Sequence, residues 1–183
     1  MKKLIYFLLS ITLLYACADN RAAQDAETPA NDSVGMASEK GYEFGDDKYT
    51  SMGKKSLDAL GSGDVDAFVL GFADDAIFRW SGGDSLNGKQ AILDYWKKRR
   101  TETIKTLSYA NEVWLAVKVN TPMVATQLPG NYALCWNMVT ATYNTGKTMS
   151  QRMHIVYHFN DADKIDRATQ YLDRVPINAA TSQ

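Results

Sequence analysis

The spacing of apolar residues changes part-way along the chain, and this change limits the folds that the sequence can adopt. Between residues 47 and 100 apolar side chains recur every three or four positions, as Val65, Phe68 and Phe72 do, which is the period of a helix. Between residues 105 and 173 they alternate with polar side chains, which is the period of a β-strand. Helices followed by a run of strands predict an α+β fold.

Capping and turn residues divide this pattern into elements. Asp46 and Asp64 are placed to cap two helices, and Asn144-Thr145-Gly146 predicts a tight hairpin turn. The predicted order is three helices, one strand between the second and third, and then a meander of four strands. The predicted helices are 47–60, 65–72 and 89–100, and the predicted strands are 76–80, 105–120, 132–143, 147–159 and 164–173.

The first residues have the pattern of an export signal. Met1-Lys2-Lys3 is positive, and Leu4–Ala16 is a run of about 13 uncharged residues, too short to span a bilayer. A small residue before a cysteine, Ala16-Cys17, resembles the lipobox of bacterial lipoproteins. That resemblance implies cleavage before Cys17, acylation of Cys17 and attachment to a membrane of the bacterial cell envelope. The alternative is an ordinary cleaved signal followed by an unrelated cysteine.

Composition divides the remainder of the chain. Residues 17–46 are rich in Ala, Asp, Asn, Ser and Glu, so they are expected to form a flexible tether behind the signal peptide at 1–16. Residues 47–175 have the length and apolar content of one domain with one core, and 176–183 are expected to be a short tail.

Charge and residue counts exclude several classes of site. The formal net charge is −1, from 20 basic and 21 acidic residues, so no basic surface for nucleic acid is expected. No cofactor motif is present. The only histidines, His154 and His158, are four residues apart on one predicted strand, about 13 Å, which is too far to share a metal ion. Cys135 is left without an intrachain partner if Cys17 is acylated.

Several short motifs resemble those of the nuclear-transport-factor-2-like, SnoaL-like superfamily. They are Gly63-Asp64 between the first helices, "FADDA" before the first strand, Gly88 with Ala91-Ile92 at the third helix, and a last strand that opens "KI" and ends "Y-x-D". The resemblance covers about residues 48–175. It implies a cone-shaped, curved, mainly antiparallel sheet with a mixed edge, wrapped around the N-terminal helices and enclosing a pocket. The superfamily includes isomerases, cyclases, dehydratases and proteins that only bind.

Alternation along the strands selects the side chains that face this pocket. The apolar face of 147–159 and the bulky even-numbered face of 132–143 are expected to point inward. The resemblance implies the same for the face of Ala168, Gln170 and Leu172 on the last strand. Both histidines then point outward, which argues against a catalytic histidine. Asp84 is expected near the mouth. The candidate ligand-binding set is Trp80, Trp96, Trp136, Met138, Thr140, Gln151, Met153 and Gln170, and the alternative for these residues is ordinary core packing.

The catalytic residues of one branch of the superfamily are not present. Ketosteroid isomerases have an Asp base, a Tyr and a second Asp at positions that correspond here to Trp80, Ser56 and Ile155. Because a proton shuttle needs a titratable group, we expect a protein that binds a small, mostly apolar molecule without catalysis. The alternative is a SnoaL-like isomerase, cyclase or dehydratase acting on a small cyclic substrate.

The outer face of the sheet suggests self-association. The small residues Ala133, Cys135, Val139 and Ala141 are expected on that face, where a monomer rarely exposes such a patch. A homodimer with the sheets back to back is therefore predicted.

Overall fold

A computed structural model describes residues 40–182 of the chain. Its helices and strands, in chain order, are β1 (Tyr42–Phe44), α1 (Asp47–Ser62), α2 (Val65–Leu70), β2 (Phe72–Trp80), β3 (Ser85–Asn87), α3 (Lys89–Glu102), β4 (Ile104–Val119), β5 (Gly130–Tyr143), β6 (Thr148–Phe159), β7 (Ile165–Tyr171) and α4 (Arg174–Thr181).

The predicted caps are present at the first two helices. The carboxylate of Asp46 accepts a hydrogen bond from the amide of Lys48, and the carboxylate of Asp64 accepts one from the amide of Ala67. Gly63 ends α1 in the left-handed region, at φ 96°, which a residue with a Cβ rarely adopts. Local sequence therefore determines where α1 and α2 begin.

All seven strands form one curved mixed sheet in the order β1-β4-β5-β6-β7-β2-β3. Strands β4, β5, β6 and β7 form the predicted antiparallel meander, and β2 pairs with β7 in parallel, which produces the mixed edge. A bulge in β4 around Asn111, whose φ is 52°, bends the sheet. The predicted α+β class and the arrangement of helices against a strand meander are confirmed.

Helix α1 lies against the inner face of the sheet at very short range. A Cβ at Gly53 would come within 2.7 Å of the Trp114 ring and 3.1 Å of the Tyr157 ring, so glycine is required at this crossing. The N-terminal end of the helix is fixed by Tyr49, whose hydroxyl donates to Asp163 at 2.7 Å and accepts from the Asn131 amide at 2.8 Å. The core of the domain is thus enclosed between the sheet and the helices.

The predicted inner face of β5 is wrong. The odd-numbered residues Ala133, Cys135, Val139 and Ala141 are at most 5% exposed, whereas Trp136 is 43% exposed. The register with β6 explains this, because Cys135 pairs with Ile155 and paired residues of antiparallel strands point to the same face. Small side chains on β5 leave room on the inner face for the large side chains of β6 and the helices.

The folded region extends past both predicted boundaries. Residues 42–44, assigned by composition to the tether, form an edge strand that pairs with β4. Residues 174–181, most of them assigned to the tail, form α4, whose Ala180 is buried. The "FADDA" segment lies within β2 and not before it. The predicted signal peptide, Cys17 and most of the tether lie outside the described residues.

The described residues contain neither a membrane-spanning helix nor a metal-binding cluster. No helix within residues 40–182 is both long and apolar enough to cross a bilayer. The same part of the chain contains no cluster of three or more His, Cys, Asp or Glu side chains that could hold a metal ion.

Candidate ligand-binding site

A cavity of about 190 Å³ lies between α3, the inner face of the sheet and α4. It is open to solvent on one side, where Asp84, Arg99, Arg174 and Asn178 form the rim. Its floor comes from β4, β5 and β6. The floor residues are Ile104, Leu107, Tyr109, Val139, Ala141, Tyr143, Met149 and Met153.

One wall of the cavity is a cluster of aromatic rings. The ring centroids of Trp80 and Tyr95 are 5.1 Å apart, and those of Tyr95 and Trp96 are 5.4 Å apart with the planes nearly perpendicular. Trp80 and Trp96 are less than 10% exposed. Rings packed edge to face in this way make a rigid surface that suits a flat apolar molecule.

A buried hydrogen-bonded chain supports this wall. The indole N–H of Trp80 donates to Oε1 of Gln170 at 2.9 Å, and Nε2 of Gln170 approaches Sδ of Met153 at 2.7 Å. Gln170 is 4% exposed, so its amide depends on these two partners. The indole N–H of Trp96 is also enclosed but has no hydrogen-bond partner among the described residues.

Charged groups lie only at the rim. Arg174 contacts both carboxylate oxygens of Asp84 at 2.5 Å, and this guanidinium lowers the pKa of the Asp84 carboxyl. Arg99 lies beside the Tyr95 ring, with Cζ 5.7 Å from the ring centroid. Asp84 is the only carboxylate among the described residues that line the cavity, and none of these lining residues is a histidine.

Two of the floor residues are the tyrosines Tyr109 and Tyr143. Burial raises the pKa values of Tyr109 and Tyr143, and no hydrogen bond contributes to either change. Both hydroxyls therefore stay protonated at neutral pH and can donate a hydrogen bond. The site combines an apolar wall with a few hydroxyl and guanidinium donors, which is the usual composition of a small-molecule pocket.

Comparison with known proteins supports this interpretation of the fold. The sequence description of the SnoaL-like domain matches residues 54–168, which is more than half of the chain. This chain belongs to the SnoaL-like family. None of the curated proteins compared with it matches.

Several solved structures share the fold of this SnoaL-like domain. A candidate polyketide cyclase from Xanthomonas campestris is 17% identical with a TM-score of 0.59, covering 74% of this chain and 97% of the other. A candidate isomerase from Bacillus subtilis is 18% identical with a TM-score of 0.58, covering 73% and 92%. An NTF2-like protein of unknown function from Burkholderia pseudomallei is 12% identical with a TM-score of 0.59, covering 74% and 98%. At these identities the comparison establishes the fold alone.

The SnoaL-like cavity contains only part of the candidate set predicted from sequence. Trp80, Trp96, Met153 and Gln170 line it. Trp136, Met138 and Thr140 do not, because even-numbered residues of β5 point to the outer face. There Trp136 stacks on His154 at 4.5 Å, and the Thr140 hydroxyl is 2.9 Å from that of Ser150.

Gln151 faces the expected side of β6 but serves another purpose. Its Nε2 donates to the carbonyl oxygen of Asp173, and its Oε1 accepts from the Asp173 amide, both at 2.9 Å. Gln151 therefore ties β6 to the segment that begins α4, and it is not among the residues that line the cavity.

We expect Gln151→Leu to lower the free energy of unfolding by about 1–2 kcal/mol, because the backbone groups of Asp173 lose their partners. Urea unfolding measures this, with Gln90→Leu as the control, since Gln90 bonds only to Asp94 on the surface of α3. Affinity for a cavity ligand should change less than about twofold. A Gln151→Leu protein of unchanged stability would contradict this role.

Both histidines are outside the cavity, as alternation predicts, but only one is a surface residue. His158 is 6% exposed: its Nε2–H donates to the carbonyl oxygen of Pro129 at 3.0 Å, and its Nδ1 is 2.5 Å from the Asp166 carboxylate. The segment before β5 covers this part of the outer face. His158 therefore holds a loop in place, and neither ring nitrogen is free for chemistry.

The positions that correspond to isomerase catalytic residues have structural roles. The Ser56 hydroxyl donates to the carbonyl oxygen of Phe68 at 3.0 Å, which joins α1 to α2, and Ile155 is 1% exposed in the core. Only Trp80 of these three lines the cavity.

Sequence reasoning missed Tyr95, Arg99, Tyr109, Tyr143 and the helix α4. The spacing of Ile92, Tyr95 and Arg99 at i, i+3 and i+7 would have placed Tyr95 and Arg99 on one stripe of α3. The three-residue turn after Tyr143 would have placed that residue on the inner face. No comparable signal in residues 174–181 points to the cavity.

Proposed function

We propose that this SnoaL-like domain binds a small, mostly apolar ligand in the cavity, without catalysis. The observation that carries the proposal is the open cavity walled by Trp80, Tyr95 and Trp96. A fully packed core would have closed this space, since protein interiors leave few voids larger than a water molecule.

The size of the cavity limits the ligand to about one ring. A dry engineered cavity of about 150 Å³ is known to accept benzene. The volume of about 190 Å³ found here leaves room for a single six-membered ring with a short substituent. A larger molecule would have to extend through the open side of the cavity, past the rim.

The enzyme remains the second candidate because of the polar groups on the floor. The hydroxyls of Tyr109 and Tyr143 could donate to an oxygen that gains negative charge during an isomerisation, cyclisation or dehydration. Asp84, the one carboxylate among the described lining residues, argues against an enzyme. It is paired with Arg174 and its pKa is lowered, so it is a weak base.

Two measurements on the purified protein test the proposal. Native mass spectrometry looks for a co-purified small molecule, and tryptophan fluorescence is followed during titration with toluene and benzyl alcohol. We expect a saturable fluorescence change, because Trp80 and Trp96 line the cavity. No bound molecule and no saturable change would contradict binding, whereas conversion of a co-purified molecule on incubation would support the enzyme.

We also propose that Cys17 carries a lipid anchor, on the sequence pattern described above. Cys17→Ser should move the protein from the membrane fraction to the soluble fraction, because acyl chains supply the membrane affinity. Cys135→Ser is the matched control, since Cys135 is buried in the core and its thiol pKa is raised to about 11. A Cys17→Ser protein that still partitions into detergent would contradict the anchor.

The homodimer stays a prediction, but the residues expected at its interface are different ones. The small residues expected at the interface lie in the core, and the outer face instead exposes Val113 (60%), Trp136 (43%) and Tyr171 (47%). If the sheets pair back to back, Trp136→Arg should convert a dimer into a monomer in light scattering at tens of micromolar, about the range in which a weak interface forms. A monomeric wild-type protein under those conditions would contradict the dimer.

A further inference from the structure

Among residues 40–182, the rim of the cavity contains one cation without an ionic partner. The last turns of α3 carry Lys97, Lys98, Arg99 and Arg100. Lys97 pairs with Asp66 at 2.8 Å, Lys98 is 4.0 Å from Glu102, and Arg100 donates to the carbonyl oxygen of Gly61. Arg99 forms no ion pair with any described carboxylate, and it is the member of this run that lines the cavity.

The surroundings of Arg99 are aromatic and contain other donors. Its guanidinium lies beside the Tyr95 ring, and its charge acts to lower the pKa of Tyr143, so the two groups are close. Tyr109 and Tyr143 also line the cavity, and burial raises the pKa values of their hydroxyls. The one lining carboxylate in the described part of the chain, Asp84, is already paired with Arg174, and the side-chain oxygen of Gln170 accepts from Trp80.

We propose that the ligand of this cavity is a single-ring aromatic acid, whose carboxylate binds Arg99 while its ring packs on Trp80, Tyr95 and Trp96. This inference rests on the proposed function. A guanidinium presents a planar fork of donors that matches a carboxylate, and a half-buried cation gains most from an anion that excludes water. The pairing of Asp84 with Arg174 leaves Arg99 available to an anionic group of the ligand.

The competing account is that Arg99 only covers apolar surface. Long basic side chains often pack their methylene groups on aromatic rings and keep the charged end in water. The two accounts differ in one observable quantity, which is the dependence of affinity on the charge of the ligand.

The test compares benzoate with benzyl alcohol, which has the same ring without the charge, by isothermal titration calorimetry at pH 7.5. We expect benzoate to bind the wild-type protein about tenfold or more tightly than benzyl alcohol, as for hydrogen bonds to a charged group. Arg99→Gln should remove this preference and leave benzyl alcohol binding within about twofold, which also shows that the cavity is intact. Lys98→Gln, one residue earlier and exposed, should keep the preference.

Each other outcome counts against the inference. Equal affinity of the wild-type protein for both compounds would contradict the proposal that the ligand is an acid, but it would still support an apolar binding site. A preference for benzoate that survives in Arg99→Gln would overturn the assignment to Arg99. Binding of neither compound would contradict this inference together with the proposed function.

Discussion

The substitution Ala141→Arg is expected to lower the free energy of unfolding by about 3 kcal/mol or more, because it places an unpaired charge on the inner face of the sheet. Ala141 is 2% exposed and lines the cavity, opposite Met149 on β6. The new guanidinium would have to reach the rim past apolar side chains, and there it would meet Arg99 and Arg174. Urea unfolding followed by circular dichroism measures the loss.

Thr140→Arg is the matched control for this experiment. Thr140 is the preceding residue of β5, and its hydroxyl is 2.9 Å from that of Ser150 on the outer face. We expect this variant to lose no more than about 1 kcal/mol, since it gives up one exposed hydrogen bond. If the two variants were equally stable, or if Thr140→Arg were the weaker protein, the faces assigned to β5 would be wrong.

A second large effect is expected when the cavity is filled. Ala141→Leu adds three carbon atoms that project into the space of about 190 Å³. Affinity for a single-ring compound should fall about tenfold or more, because the ring and the new side chain compete for one volume. The free energy of unfolding should stay level or rise by about 1 kcal/mol, since added methylenes are buried in a void.

Thr140→Leu provides the control at the same point of the strand. Its side chain points away from the cavity, so ligand affinity should stay within about twofold of the wild-type value. Titration calorimetry with benzoate and toluene measures both variants. Unchanged affinity in Ala141→Leu would show that the ligand binds elsewhere on the protein.

The order and type of the main elements could be predicted from local signals. Capping aspartates, the Gly61–Gly63 break and the change of apolar period are local features, and each predicted helix and strand agrees with the structure to within a few residues. The short strands β1 and β3 and the helix α4 were missed. Each depends on a tertiary neighbour, as β1 does on its pairing with β4, and three-residue strands carry almost no periodic signal.

The error in β5 has an instructive physical cause. The larger side chains of β5 were expected to point inward. The side chains on its inner face are instead small, because Tyr157, Met153 and Met149 on β6 fill the space in front of them. The length of the turn indicates the correct face of β5. The amide of Tyr143 donates to the carbonyl oxygen of Lys147, so this three-residue turn pairs odd-numbered residues of β5 with odd-numbered residues of β6. Once the apolar odd face of β6 was placed inward, β5 had to follow.

Four of the eight predicted site residues line the cavity. Met153 and Gln170 lie on the strand faces that were expected to point inward, Trp80 ends β2, and Trp96 lies on α3. Of the rim residues, only Asp84 was expected near the mouth from the sequence. The pairing of Asp84 with Arg174 joins residues 90 positions apart, and its geometry follows from the position of α4, which sequence did not reveal.

A crystal soaked with 4-bromobenzoate tests the central claim most directly, because bromine gives an anomalous signal that locates one atom of the ligand. We expect a bromine peak inside the cavity, among Trp80, Tyr95 and Trp96, with the carboxylate directed to Arg99. A second crystal soaked with 4-bromotoluene, which lacks the charge, should show a weaker peak at the same place. The absence of a bromine peak inside the cavity with both compounds would contradict the assignment of this cavity as a ligand-binding site.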